Sequence, residues 1–104
     1  MGYSKIEPLF PLGEILISSG VMNHEINIMP FLRRHQSGDW GDQSVENDKI
    51  NEHALSYDLE ILSQYHISTH KGKIETVIIM TENDRSRTVV FIAGELESIP
   101  TDNN

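Results

Sequence analysis

The residues best suited to chemistry lie in one eight-residue stretch, residues 35–42, with the sequence HQSGDWGD. It contains the only tryptophan of the chain, two of its seven glycines, two carboxylates and a histidine. Imidazole and carboxylate groups bind divalent metals, and an imidazole oriented by an acid can act as a general base. His35, Asp39 and Asp42 are therefore candidate catalytic residues, although their spacing matches no metal motif of defined geometry.

A structural role explains the same loop. His35 would end one helix, and Asp39 or Asp42 would cap the next, as carboxylates that precede a helix commonly do. Trp40 would fill the core with its indole N–H donated to a backbone carbonyl, or would instead stack on a nucleic-acid base or dock a partner. The sequence favours the structural role and leaves the catalytic one open.

A second polar cluster, TENDRSRT, spans residues 81–88. A hairpin turn explains its centre. Glu82 and Arg85 complete the set of candidate catalytic residues. Arg85 is expected to pair with a carboxylate of the central loop, such as Asp39, which would join the two clusters. The candidate binding residues are Trp40, Arg33, Arg34 and Asp84.

The length of 104 residues predicts a single domain, residues 1–104, with an ordered core over about 10–94 and frayed ends. Sixteen acidic against eight basic residues give a formal net charge of −8. This balance disfavours direct binding to nucleic-acid phosphates. It fits either ordinary solubility or an acidic face that binds a basic groove on a nucleic-acid enzyme.

Composition also bounds the compartment and the cofactors. The chain has no cysteine, which excludes disulfides and thiolate metal sites and agrees with a reducing cytosol. No signal peptide, membrane span, phosphate loop or dinucleotide fingerprint is visible. The prediction is a cytoplasmic protein with no membrane partner, no metal and no cofactor.

Turn and cap residues divide the chain into elements. Pro30 cannot occupy a helix interior, so two short helices are expected instead of one. Ser18 or Ser19 can cap the first of them, and Ser44 can cap a third helix. The expected strands cover residues 12–18, 59–67, 73–81 and 87–93, and the expected helices cover 19–26, 30–36 and 44–55.

These elements predict an α+β fold. A short N-terminal strand and two or three short helices precede a three-stranded antiparallel meander, with the helices on one face. Pro11 and Gly13 place the first strand at an edge. From Leu59 the apolar residues alternate, which is typical of a half-buried strand. Strand 73–81 is apolar on both faces, which favours a central position.

Five segments together resemble a family of small plasmid- and phage-borne bacterial proteins with the motifs RHxxGDWGD and TExDRSxT. Some members carry a restriction-modification subunit label, but a chain of 104 residues is too short for a methyltransferase fold. The resemblance implies a mobile-element setting and no defined reaction. The matching segments are Phe10–Ile15, Arg34–Asp42, Glu46–Asp48, Ser63–Tyr65 and Thr81–Thr88.

Three functions remain open from the sequence. The first is a non-enzymatic protein-binding factor of a mobile element that inhibits a host defence or nucleic-acid-processing complex. The second is a small metal-dependent nuclease built on the central loop, since helices followed by a meander resemble the RelE/ParE-type toxins. Those toxins are generally basic, unlike this chain. The third is a structural accessory factor or one that functions as a homodimer.

Overall fold

The computed structural model describes residues 8–95. The predicted α+β fold is confirmed: three helices pack on a four-stranded mixed sheet with the strand order β1-β4-β3-β2. The predictions for residues 1–7 and 96–104 fall outside the described range. In chain order the elements are β1 Glu14–Ile17, α1 Ser19–Asn23, α2 Met29–Gln36, α3 Val45–Tyr57, β2 Ile61–Ser68, β3 Ile74–Thr81 and β4 Arg87–Ile92.

Strand β1 is an edge strand, as predicted, and it pairs in parallel with β4. This pairing adds a fourth, parallel strand to the sheet formed by the expected three-stranded meander. Gly13 makes the approach possible, because it has a φ of +67° and a Cβ there would lie 2.3 Å from the backbone of Ser86. The last strand in sequence therefore lies between the first strand and the central one.

The two predicted short helices are confirmed, and both are bounded by local chemistry. Ser18 caps α1 by accepting a hydrogen bond from the Val21 amide. Helix α1 is shorter than predicted because Glu25 takes a left-handed φ of 54°. Pro30 lies in the first turn of α2, and Gly38 follows its end with a φ of +89°.

Ser44 caps α3, as predicted, by accepting a hydrogen bond from the Asn47 amide. The alternative prediction, that Asp39 or Asp42 caps this helix, is wrong, because both carboxylates bind other groups. The helix ends two residues later than predicted, where Asp58 takes the left-handed conformation.

The meander is confirmed with adjusted bounds. Strand β3 is central and pairs antiparallel with both β2 and β4. Strand β2 begins at Ile61, so Leu59 lies before it and is exposed, against the prediction. The hairpin between β3 and β4 covers residues 82–86, as expected.

One face of the sheet packs against the helices. Inward-facing side chains of the three meander strands, Tyr65, Val77 and Val90, form a cluster with Val21 of α1 and Leu32 of α2. A second cluster joins Ile61 to α3 and the central loop through Phe10, Trp40 and Ala54. Among residues 8–95, no helix has the length and apolar character needed to cross a membrane.

Candidate functional site

His35, the first catalytic candidate, is fully buried in the last turn of α2. Its Nδ1 lies 2.5 Å from Ser63 Oγ on β2, and its Nε2 lies 2.9 Å from Thr81 Oγ1 on β3. Burial, aided by the positive charge of Arg85, lowers the pKa of His35 from 6.5 to about 3. The imidazole is therefore neutral at physiological pH and has no contact with solvent.

A chain of hydroxyl groups continues from His35 and fixes its tautomer. Thr88 Oγ1 donates to the Leu12 carbonyl at 2.7 Å, so it must accept the proton of Thr81 Oγ1, which lies 2.7 Å away. Thr81 can then only accept from His35, which places the ring proton on Nε2. Ser63 donates to the unprotonated Nδ1, and every member of the chain is satisfied.

Asp39, the second candidate, lies on the surface and pairs with Arg34. The guanidinium donates to both carboxylate oxygens, with Nε 2.7 Å from Oδ2 and an Nη 3.1 Å from Oδ1. This hydrogen bonding holds the pKa of Asp39 below its usual value. Arg34 also stacks on the Tyr65 ring, 4.6 Å from its centre. The guanidinium of Arg85 binds backbone carbonyls instead, so its predicted pairing with a carboxylate of the loop is wrong.

Tyr65 of β2 holds the backbone of the central loop. Its ring is buried, and its hydroxyl donates to the Asp39 carbonyl at 2.7 Å. Burial raises the pKa of Tyr65 to about 12, which keeps the phenol protonated as a donor. The backbone of the loop is thereby tied to β2.

The central loop then runs along the outer edge of β2. The Gln64 amide donates to the Trp40 carbonyl at 3.1 Å, and the Asp42 amide donates to the Gln64 carbonyl at 2.7 Å. The Asp42 carboxylate accepts from the His66 amide at 2.9 Å. Asp42, the third candidate, thus completes a strand edge, which would otherwise expose unpaired backbone groups.

Gly41 permits this close contact. A Cβ at this position would lie 2.2 Å from the Gln64 carbonyl oxygen and 2.5 Å from the Tyr65 ring, and φ is +80°. Further along the edge, the side-chain amide of Asn51 donates to the Leu62 carbonyl at 2.6 Å and accepts from the Leu62 amide at 3.1 Å. Loop and helix α3 together cover the β2 edge.

Trp40 is buried between Phe10, Ala54 and Ile61, which confirms its predicted role in the core. The predicted hydrogen bond of its indole N–H to a carbonyl is wrong: Nε1 has no hydrogen-bond partner among residues 8–95. Trp40 is not available to dock a partner in this conformation.

The second cluster forms its own contacts. Arg87 binds the Glu82 carboxylate across the hairpin. Asp84 accepts from the hydroxyl and the amide of Ser86, and these bonds hold its pKa below the usual value. The Arg87–Glu82 contact and the Asp84–Ser86 hydrogen bonds both stabilise the hairpin, and the sequence predicted this turn role for Asp84.

Arg85 reaches from this hairpin to the end of α3. Its guanidinium donates to the carbonyl of Ala54 at 3.0 Å and to that of Leu59 at 2.6 Å. It also donates to the carbonyls of Glu82 and Asn83 within its own turn. These carbonyls lie at the C-terminal end of α3 and in the hairpin turn, and a cation is favoured beside the negative end of a helix.

The two clusters do meet, but through buried hydrogen bonds and not in an open cleft. His35 contacts Thr81, whereas Asp39, Asp42, Glu82 and Arg85 each bind a different partner. Arg33 is exposed at the end of α2. No group of three or more acidic, histidine or cysteine side chains among residues 8–95 is arranged to bind a metal ion. This arrangement does not favour the nuclease alternative.

Known proteins add nothing to this geometry. The chain matches no protein-family model, and searches of curated proteins and of solved structures find no match either.

Sequence reasoning missed the residues that hold the loop, above all Ser63, Thr81, Thr88 and Asn51. A signal was present: Ser63, Thr81 and Thr88 are hydroxyl residues at inward positions of three neighbouring strands. A buried hydroxyl needs a partner, and His35 is the buried polar group that provides one.

A cavity of about 560 Å³ lies away from both clusters. It lies between residues 24–27, which follow α1, and residues 67–70, at the end of β2. None of the residues predicted from the sequence as catalytic or binding lines it.

Proposed function

We propose that the protein is a cytoplasmic, protein-binding accessory factor of a mobile element, which docks through α3 onto a positively charged surface of a host or phage protein. Its role would be to inhibit a defence or nucleic-acid-processing complex. Support comes from the outward surface of α3 and from the net charge of −8.

Helix α3 has a buried side, and it also carries apolar side chains that are exposed. Asn51 and Ala54 face the sheet and are buried. Val45, Ile50 and Tyr57 are 64%, 59% and 66% exposed. Ile50 and Tyr57 are seven residues apart and so lie on the same side of the helix, and exposed apolar side chains that lie together are typical of a surface that is covered by a partner.

The charges around these side chains are mainly negative. Glu46 and Glu52 are exposed on the helix, and Asp58 and Glu60 are exposed just beyond its end. Lys49 is the only basic residue between positions 45 and 57. A positively charged surface complements this pattern and would be attracted to it at long range.

The observation that carries the proposal is the stack of His53 on Tyr57. Their ring centres are 4.3 Å apart with an interplanar angle of 26°, so the stack favours one orientation of an exposed tyrosine. Tyrosine is enriched at binding hot spots, and a fixed ring loses less conformational entropy when it binds.

A site-specific cross-linker tests the proposal. A photo-reactive phenylalanine at position 57 should capture one discrete protein from bacterial host lysate, and capture should fall as salt rises. The same group at position 74 is the control, since Ile74 is 68% exposed but lies on β3. The captured protein, once purified, should bind Tyr57→Ala at least about tenfold more weakly than the parent chain.

Two results would contradict the proposal. One is the same set of captured proteins from positions 57 and 74. The other is a purified partner that binds the Tyr57→Ala variant as tightly as the unaltered protein.

A further inference from the structure

The two edges of the sheet differ in how their backbone groups are satisfied. On β2, the outward amides of Leu62, Gln64 and His66 all have acceptors from α3 or the central loop. The outward carbonyls of Leu62 and Gln64 also have donors. This edge cannot accept another strand without losing those bonds.

The β1 edge has no such cover within residues 8–95. The amides of Glu14 and Ser18 donate inward to Ser86 and Val90 of β4, each at 2.9 Å. Because backbone groups alternate along a strand, those of Ile15 and Ile17 point outward. No described residue bonds them, and the two residues are 39% and 40% exposed.

We propose that β1 is a self-association site, at which a second copy of this chain adds its own β1 antiparallel. Centred on Leu16, this register sets Ile15 opposite Ile17 of the second copy and Ile17 opposite its Ile15. Both outward residues of each strand then exchange N–H···O bonds, about four in all. Such a contact is two-fold symmetric and self-complementary.

Side chains and charges fit this register. Ile15 and Ile17 lie on the same face as Thr88 and Val90, so four isoleucines would cover one another beside the core. Glu14, the only charged residue of β1, would lie opposite Ser18 of the second copy and not opposite a second Glu14. Like charges are thereby kept out of direct opposition.

Assembly would stop at two copies. Within residues 8–95 the β1 edge is open, and pairing uses it, whereas the central loop and Asn51 cover the β2 edge from Leu62 to the His66 amide. The shared surface is short, so the dimer is weak and concentration-dependent. Each copy has a net charge of −8, so added salt should strengthen the dimer by screening repulsion. This response is opposite in sign to that expected for a charge-driven partner at α3.

Sedimentation velocity over a concentration series tests the proposal. The weight-average mass of the full chain should rise from 11.8 kDa towards twice that value and no further, and earlier at high salt. Ile17→Lys should keep the chain monomeric, because two lysines would then face the shared edge. Ile74→Lys is the control and should leave association unchanged, since Ile74 is equally apolar and more exposed.

Amide exchange on the unaltered chain provides a readout that does not depend on a variant folding. Exchange at Ile15 and Ile17 should slow as concentration rises, while exchange at exposed turn residues stays constant. A mass of 11.8 kDa at every concentration, growth beyond two copies, or equal loss of association in both lysine variants would overturn the proposal.

Discussion

His35 Nε2 lies 2.9 Å from Thr81 Oγ1, and this contact joins the central loop region to the β3–β4 hairpin. Both residues are fully buried. The two clusters are therefore joined by an internal hydrogen bond, and not by the predicted pairing of Arg85 with a carboxylate of the loop. Changes at either residue should therefore affect the stability of the fold.

Stability should fall in acid through His35. The folded chain keeps the pKa of His35 at about 3, whereas the unfolded chain binds a proton near 6.5. As pH falls from 6.5 towards 3, the unfolded state is favoured by up to about 1.4 kcal/mol per pH unit, and above 6.5 this effect is absent. Urea unfolding of His35→Gln should show a shallower loss of stability in mild acid. Parallel pH curves for the two proteins would disprove the assignment.

Removing a buried hydroxyl should be costly. Thr81→Val leaves the Nε2 proton of His35 without an acceptor, and Thr88→Val removes the donor to the Leu12 carbonyl. We expect each to lower the free energy of unfolding by about 1–3 kcal/mol. Thr76→Val is the matched control on β3, because its hydroxyl contacts His66 at the surface, and its effect should stay within about 0.5 kcal/mol. Equal effects at all three positions would refute this ranking.

Gly41→Ala should destabilise far more than Gly72→Ala. Both glycines have positive φ, +80° and +78°, so both variants bear a similar conformational penalty of about 1 kcal/mol. Only at position 41 would the new Cβ meet backbone, 2.2 Å from the Gln64 oxygen, whereas nothing lies within 4 Å at position 72. Thermal unfolding should therefore separate the two variants by several degrees. Equal melting temperatures would mean that the loop does not hold the β2 edge.

Arg85→Lys should loosen the end of α3. A lysine retains the charge but not the fork geometry that reaches the Ala54 and Leu59 carbonyls together. A loss of about 1–2 kcal/mol is expected, with faster amide exchange in the last turn of α3. Arg33→Lys, at an exposed position, is the control and should change neither quantity. Unchanged exchange at the end of α3 in Arg85→Lys would contradict this role.

The sequence by itself determined the features that depend on neighbouring residues. Ser18, Pro30, Gly38 and Ser44 set helix boundaries because caps and breaks act within one turn of chain. The alternation over residues 59–67 and the apolar runs 73–81 and 87–93, separated by polar turns, predicted the meander, since strand periodicity and turn residues act over short stretches of chain.

Only the tertiary structure decided which distant groups meet. The parallel β1–β4 pair, the His35–Thr81 contact and the loop along β2 each join residues far apart in the chain, where several partners satisfy the same chemistry. Arg85 illustrates the difficulty: its donors suit a carboxylate or a set of carbonyls equally well. Arg34, which is five residues from Asp39, binds this carboxylate. The hairpin directs Arg85 to the end of α3 instead. The residue types determined which groups needed a hydrogen-bond partner, and the packing of the fold determined which partner each group received.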